Sequence, residues 1–226
     1  MYKVLSFDLF LTLADLDARV PVLWERIFDR PLTAAEVQRH AAGLKAHYLP
    51  NYHELHRLPF ATMGAVFRQG FADYFAAEGI DADPVRAGDI FLEEHNYCPI
   101  YPDAMELLEK AAKRYRIVIS TDADVCMIQD LLPRIPHEIA FVSEELRAYK
   151  ANRQGAFFRQ VIERTGVRPD EILHIGDGRS DISGAKLCGI DVYHVDREGL
   201  GLPAGIIERP DYTGRDLTGL YPILGL

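Results

Sequence analysis

The sequence predicts an α/β fold: a doubly wound parallel sheet, Rossmann-like, carrying a small all-helical domain. Three observations predict it. From residue 99 onward, short apolar runs alternate with segments of helical spacing, the pattern of a parallel sheet covered on both faces. Residues 15–98 show helical periodicity and no convincing strand. The short runs at 4–7, 116–120 and 171–175 each lead into an acid or a hydroxyl, and parallel sheets bind ligands at the carboxyl ends of their strands. The organisation expected is therefore an α/β domain of residues 1–14 and 99–226 with a helical insertion at 15–98. With 226 residues, 48% hydrophobic and 26% charged, the chain has enough apolar material to offset its conformational entropy, so disorder is excluded as the general state.

Taken in order, Val4-Leu5-Ser6-Phe7 reads as a buried strand with Asp8 at its tip. Helical spacing follows at 33–48, 60–78 and 83–96. Thr33 and Glu36 have capping-box spacing, and Gly79 and Pro84 punctuate the later segments. Beyond Pro99 the expected order is helix 103–115 with Asp103 as N-cap, strand 116–120, helix 125–132, strand 139–142 and helix 152–165 stopping at Gly166. Strand 171–175, helix 181–188 and strand 191–195 complete it. No internal repeat or low-complexity segment is present.

A formal net charge of −9 argues against non-specific nucleic-acid binding, which needs clustered Lys and Arg. It leaves room for a small anionic substrate. No run approaches the ~18 apolar residues of a membrane span. The stretch 4–16 imitates a signal peptide, but Asp8 interrupts it, only Lys3 supplies positive charge and no small-residue cleavage site follows, so the signal reading is rejected. Cys98, Cys126 and Cys188 are odd in number and far apart, which fits reduced, mostly buried thiols in a cytoplasmic protein. The expected partner is a small-molecule substrate, and the expected state is monomer or homodimer.

Parallel-sheet geometry gathers Asp8, Ser120, Thr121, Lys150, Asp177 and Asp181 at one edge. A carboxylate can attack phosphorus or carbon and form a covalent intermediate. Several carboxylates together repel one another and an anionic substrate, and Mg²⁺, which favours carboxylate and phosphate oxygens, removes that conflict. Lys150 can hold Asp8 anionic, and Ser120 offers a hydroxyl donor. Gly176-Asp177-Gly178 could be read as a dinucleotide loop, but its acids would oppose phosphate without a metal. His53 and His56 are three apart, not the four of the H-E-x-x-H zinc motif.

In this order the motifs resemble those of the haloacid dehalogenase superfamily of hydrolases. Asp8-Leu9-Phe10-Leu11-Thr12-Leu13 resembles the nucleophile motif, Ser120 the hydroxyl motif, Lys150 the lysine motif, and Gly176-Asp177 with Asp181 the metal motif. The resemblance implies Asp8, Ser120 and Lys150 as catalytic. It implies a Mg²⁺ site of Asp8, the Phe10 backbone carbonyl, Asp177 and Asp181. Phe10, Thr12, Thr121 and Arg179 are the expected substrate contacts. It also implies that 15–98 is a helical cap closing over the site. Gly43-Leu44-Lys45-Ala46-His47 is distantly similar to the cap segment whose lysine forms a Schiff base in phosphonoacetaldehyde hydrolase; a solvated helix face is the plainer reading of Lys45.

The sequence departs from the phosphatase pattern at three places. Phe10 stands where phosphatases carry the acid that protonates the leaving group, Leu11 where a glycine is usual, and Thr121 where an Asn is frequent. Phe10 favours a substrate whose leaving group needs no proton. Two enzymatic readings follow: a Mg²⁺-dependent hydrolase of a small organophosphate with a good leaving group, or a metal-independent 2-haloacid dehalogenase. The third is a non-catalytic phosphate-binding or regulatory protein.

Overall fold

The computed structural model describes residues 1–54 and 59–226. The chain divides into two compact units: Met1–Asp15, Ile100–Asp122 and Arg134–Leu226 form one, and Leu16–Pro99 with Ala123–Pro133 the other. The first unit is built on β1 (Val4–Phe7), β2 (Arg116–Thr121), β3 (Ile139–Val142), β4 (Ile172–Gly176), β5 (Asp191–Val195) and β6 (Tyr212–Gly214). They form one sheet of order β3-β2-β1-β4-β5-β6, parallel throughout. β1 and β4 are buried at every residue, as the central strands of a doubly covered sheet must be. The strand order reverses direction between β1 and β4, the crevice where such sheets bind ligands.

The helices of this unit are α5 (Pro102–Ala111), α6 (Ser143–Leu146), α7 (Ala156–Thr165), α8 (Arg179–Leu187) and α9 (Leu220–Leu224). α7 buries Phe157, Phe158 and Val161 on one stripe. These pack with Ile182 and Ala185 of α8 and with Val4, Val118, Ile172 and Val192 of the sheet. Removing either phenylalanine ring costs about 3–5 kcal/mol at such a site. α7 ends at Gly166, whose φ of 69° supplies the left-handed cap.

The second unit holds α1 (Val20–Phe28), α2 (Ala34–Glu54), α3 (Met63–Glu78) and α4 (Pro84–His95). α3 is its core, burying Phe67, Phe71, Tyr74 and Phe75 at helical spacing. The Thr33–Glu36 capping box forms: the Thr33 amide donates to Glu36 Oε2 at 2.8 Å, and the Glu36 amide to Thr33 Oγ1 at 3.3 Å. No described helix is long and apolar enough to cross a membrane.

Four expectations are corrected. The helix expected at 125–132 is absent; short 3-10 turns stand at Val125–Met127 and Leu132–Arg134. Asn96 causes this: its Nδ2 donates to the Cys126 carbonyl and its Oδ1 accepts the Asp130 amide, the two groups an α-helix would pair with each other. These bonds, with the Met63 and Gly64 amides donated to Asp124, explain why 123–133 clusters with the helical unit. α5 is capped by Tyr101, and Asp103 instead receives Arg197 and the Leu217 amide. α7 starts four residues late because the Asn152 side chain takes the Gln154 and Ala156 amides and Gly155 sits at φ 67°. The cysteines are not mostly buried: Cys98 is buried, Cys188 partly so, and Cys126 is exposed.

Candidate active site

Asp8 follows β1 directly, and its amide extends the sheet by donating to the Ile175 carbonyl at 2.8 Å. Asp177 follows β4, and Asp181 lies in the first turn of α8. One ligand atom from each of Asp8, Asp177 and Asp181 lies within 4.8 Å of the others. Lys150 Nζ donates to Asp8 Oδ1 at 2.6 Å and to Asp181 Oδ1 at 2.5 Å, with all three side chains buried. The sheet unit therefore brings together Asp8, Lys150, Asp177 and Asp181.

Local backbone makes this possible. A Cβ on Gly176 would sit 2.4 Å from Asp181 Cγ, so only glycine lets the Asp181 carboxylate fold back over the end of β4. There it also accepts the Gly178 amide at 3.0 Å. The segment carrying Lys150 is held from two sides. Its amide donates to Asp122 Oδ1 at 2.9 Å, and its carbonyl packs so closely on α8 that a Cβ on Gly184 would lie 2.0 Å from it.

The remaining predicted residues divide. Ser120 is fully buried, its Oγ 2.8 Å from Ser6 Oγ. Thr12 Oγ1 donates to Asp177 Oδ1 at 3.4 Å. Thr121 Oγ1 is buried with no hydrogen-bond partner among the described residues. Phe10 is half-buried and bridge-paired to Ala14. Arg179 is exposed, beside Gly205 and in the field of Glu208, so the structure does not join it to the acid cluster. In the helical unit Lys45 is exposed, and His47 Nδ1 pairs with the Gly43 carbonyl at 2.8 Å. His56 and the His53 side chain lie outside the described residues.

The electrostatics follow from burial and unequal pairing. Burial raises Asp8 to about 6, helped by the charge of Asp181 and opposed by Lys150. Asp177 is pushed well above the carboxylate range by burial and by the charges of Asp8 and Asp181. At Asp181 burial acts the same way, but Lys150 and His174 outweigh it and hold the carboxyl below its ordinary value. Among the described residues, three acids and one ammonium form a cluster short of positive charge. The oxygen-only donor set suits a hard cation such as Mg²⁺.

Sequence reasoning missed Ser6 and His174, and placed Asp122 at a strand tip without giving it a role. Asp122 lay in plain view beside Ser120. Ser6 and His174 sit inside apolar strand runs, and a polar residue at an inward strand position was the signal available.

The haloacid dehalogenase-like hydrolase family model matches residues 2–189. Among solved structures, the HAD-hydrolase YfnB from Bacillus subtilis, bound to magnesium, is similar with a TM-score of 0.80 at 23% identity, covering 100% of this chain and 99% of that one. L-2-haloacid dehalogenase from Xanthobacter autotrophicus also gives 0.80, at 22% identity and with 100% and 98% of the chains covered. The L-2-haloacid dehalogenase RSc1362 gives 0.82 at 15% identity, with 100% and 99% covered. No curated protein matches. These likenesses establish the fold, and the family match across the strand tips establishes the membership: the chain is a haloacid dehalogenase-like hydrolase.

Proposed function

We propose that the protein is a Mg²⁺-dependent hydrolase of a small organophosphate with a good leaving group, such as an acyl or anhydride phosphate. The observation that carries this reading is the charge imbalance of Asp8, Asp177 and Asp181 around Lys150. Asp8, Asp177 and Asp181, with the Phe10 carbonyl, would hold the ion. Held there, the ion would supply charge to neutralise the carboxylates and Lewis acidity toward a phosphoryl oxygen. Asp8 attacks phosphorus, the leaving group departs with the P–O bonding pair, and water then cleaves the aspartyl-phosphate to return the free carboxylate. Lys150 orients Asp8 and Asp181, while Ser120 and the unpartnered Thr121 hydroxyl are the groups to receive substrate oxygens. The helical unit takes the role of the family's cap and sets substrate choice.

Phe10 supports the leaving-group restriction, because it offers no proton where phosphatases place an acid. Loss of a general acid costs about 10²–10⁴ in rate. Phe10 and the similarity to L-2-haloacid dehalogenases support a second reading, displacement of halide at carbon through an aspartyl ester without metal. A panel of aryl, acyl and alkyl phosphates and 2-haloacids, each with and without Mg²⁺, separates the two. The expected result is Mg²⁺-dependent phosphate release with a steep dependence of the single-turnover rate on leaving-group pKa. Metal-independent halide release establishes the second reading; a flat leaving-group dependence shows that another group donates the proton.

A further inference from the structure

Two buried polar side chains stand within the sheet, and the proposed reaction does not use them. Ser6 and His174 face each other in the register of β1 and β4, both fully buried. Their surroundings are apolar: Val4, Val118, Phe158, Ile172 and Val192 fill the layer, and the Phe158 ring meets the imidazole edge-on at 4.9 Å. Apolar side chains would complete that layer at no polar cost, whereas a buried polar group left unpaired is destabilising.

Both are paired, and the pairing leads to the site. Ser6 Oγ lies 2.8 Å from Ser120 Oγ and 3.0 Å from His174 Nδ1. His174 Nε2 lies 2.9 Å from Asp181 Oδ1. An ionised carboxylate only accepts, so Nε2 carries the hydrogen and donates it to Asp181. Lys150 then links Asp181 to Asp8. A single run of hydrogen bonds thus joins the hydroxyl at the tip of β2 to Asp181 in the first turn of α8 and to Asp8 at the tip of β1.

We infer that His174 is a positioning residue: through Asp181 on one side and Ser6 on the other, it fixes the orientation of the metal-facing carboxylate and of the Ser120 hydroxyl. The inference rests on the proposed reading of Asp8, Asp177 and Asp181 as a Mg²⁺ site. Histidine–carboxylate contacts behind a ligating group hold its oxygens in place, and their loss typically costs about 10–100-fold in metal affinity or activity. Packing does not require the polar pair, since replacing a satisfied buried polar network by apolar groups of similar volume is often neutral or stabilising.

The test compares His174→Leu, His174→Gln, Ser6→Ala, Ser120→Ala and the Ser6/Ser120 double variant with wild type. Mg²⁺ affinity is measured by calorimetry, folding by thermal melts, and kcat and KM with acetyl phosphate. His174→Leu should still melt cooperatively, somewhat below the wild-type temperature because Asp181 loses a buried donor, bind Mg²⁺ about 10–100-fold more weakly and lose kcat in proportion. KM for acetyl phosphate should hold. His174→Gln, whose amide keeps a donor near the Nε2 position, should recover part of both losses. Ser6→Ala should lower kcat in wild type and not in the Ser120→Ala background. Unchanged Mg²⁺ affinity and kcat in a folded His174→Leu protein overturn the inference. If that variant does not fold, a Gln variant with full affinity, or additive losses in the Ser6/Ser120 cycle, overturns it instead. Absence of Mg²⁺ binding by wild type removes the reading of the site and the inference with it; normal binding by wild type and His174→Leu alike removes the inference alone.

Discussion

Each unit of the molecule sets a charged cluster around a buried carboxylate, and the two are built on opposite principles. In the helical unit Glu94 is almost wholly buried, and its carboxylate receives Arg19 through Nε at 2.9 Å and Nη2 at 2.5 Å, with Arg26 on the other oxygen. Arg26 also reaches Glu93 at 2.7 Å. Two acids meet two guanidiniums, and Arg26 is held above its ordinary range by Glu94 and then Glu93. In the sheet unit, among the described residues, three acids meet one ammonium, and Asp8 and Asp177 are pushed upward. The first cluster is electrostatically complete. The second, among the described residues, is short of positive charge, and on that imbalance the proposed cation site rests.

If that distinction is right, removing a carboxylate has opposite signs in the two places. Glu94→Ala leaves two guanidiniums facing each other and should destabilise by roughly 2–4 kcal/mol. That is toward the lower part of the range for breaking buried pairs, because both arginines keep some contact with solvent. Denaturant melts read this, and activity per folded molecule should be unchanged. Asp177→Asn relieves repulsion, so the metal-free protein should gain about 1 kcal/mol or more, a rise of roughly 2–4 °C in Tm. It should also lose Mg²⁺-induced stabilisation and Mg²⁺-dependent turnover. A destabilised metal-free Asp177→Asn protein breaks the comparison.

The pH dependence sharpens it. Asp8 has a folded value of about 6, above the ~3.9 of an unfolded aspartate. The folded state therefore holds a proton that the unfolded chain has lost between those values, and this group's contribution to stability rises as pH falls through 6. Comparing wild type with Asp8→Asn isolates it from the other carboxylates. The metal-free variant should be the more stable at pH 7.5, by up to about 2–3 kcal/mol, with the gap narrowing below about pH 6 and closing near pH 4. Saturating Mg²⁺ should shrink the gap in wild type, since the cation favours the charged carboxylate. Turnover at low Mg²⁺ should fall below about pH 6 as the nucleophile protonates, and high Mg²⁺ should move that midpoint down. A gap independent of pH places the strain elsewhere.

The tips of the sheet were legible in the sequence because position there is set by topology. A short apolar run followed by Asp8, by Ser120 or by Gly176-Asp177 announces both the strand and its ligand-facing end. What lay between the tips was less legible. His174 reads as one odd letter in Ile172-Leu173-His174-Ile175, and nothing local shows that its partner is Ser6, 168 positions away. The helix at 125–132 was misread because Asn96, remote in sequence, occupies the backbone pair that helical periodicity needs. β6 and α9 were not foreseen: Tyr212–Gly214 is three residues long and α9 only five, too short for either period to show. The Arg19–Arg26–Glu94 cluster was invisible for a related reason, since charges on α1 and α4 read as solvated faces until the helices are packed.

The smallest effect concerns the loop that leaves the nucleophile. Leu11 stands at φ 63°, the left-handed conformation that a glycine adopts without cost. It is held there by its own amide, which donates to the Ala14 carbonyl at 2.7 Å, and by the Leu13 and Ala14 amides, both donating to the Leu9 carbonyl at 2.9 Å. The loop thus takes the turn that the family's usual glycine would take, and leucine pays roughly 1–2 kcal/mol for it. Leu11→Gly removes that strain but adds about 0.5–1 kcal/mol of unfolded-chain entropy. The expected net gain is small, up to about 1 kcal/mol, read as a shift in the denaturant midpoint at constant m. Asp8 is three residues upstream and its amide is fixed to the Ile175 carbonyl, so turnover should change little. A loss of stability in Leu11→Gly means that the leucine side chain, half-buried here, contributes more by packing than its backbone costs. A large change in turnover means instead that the strained loop sets the position of the Phe10 carbonyl, and with it the geometry around the ion.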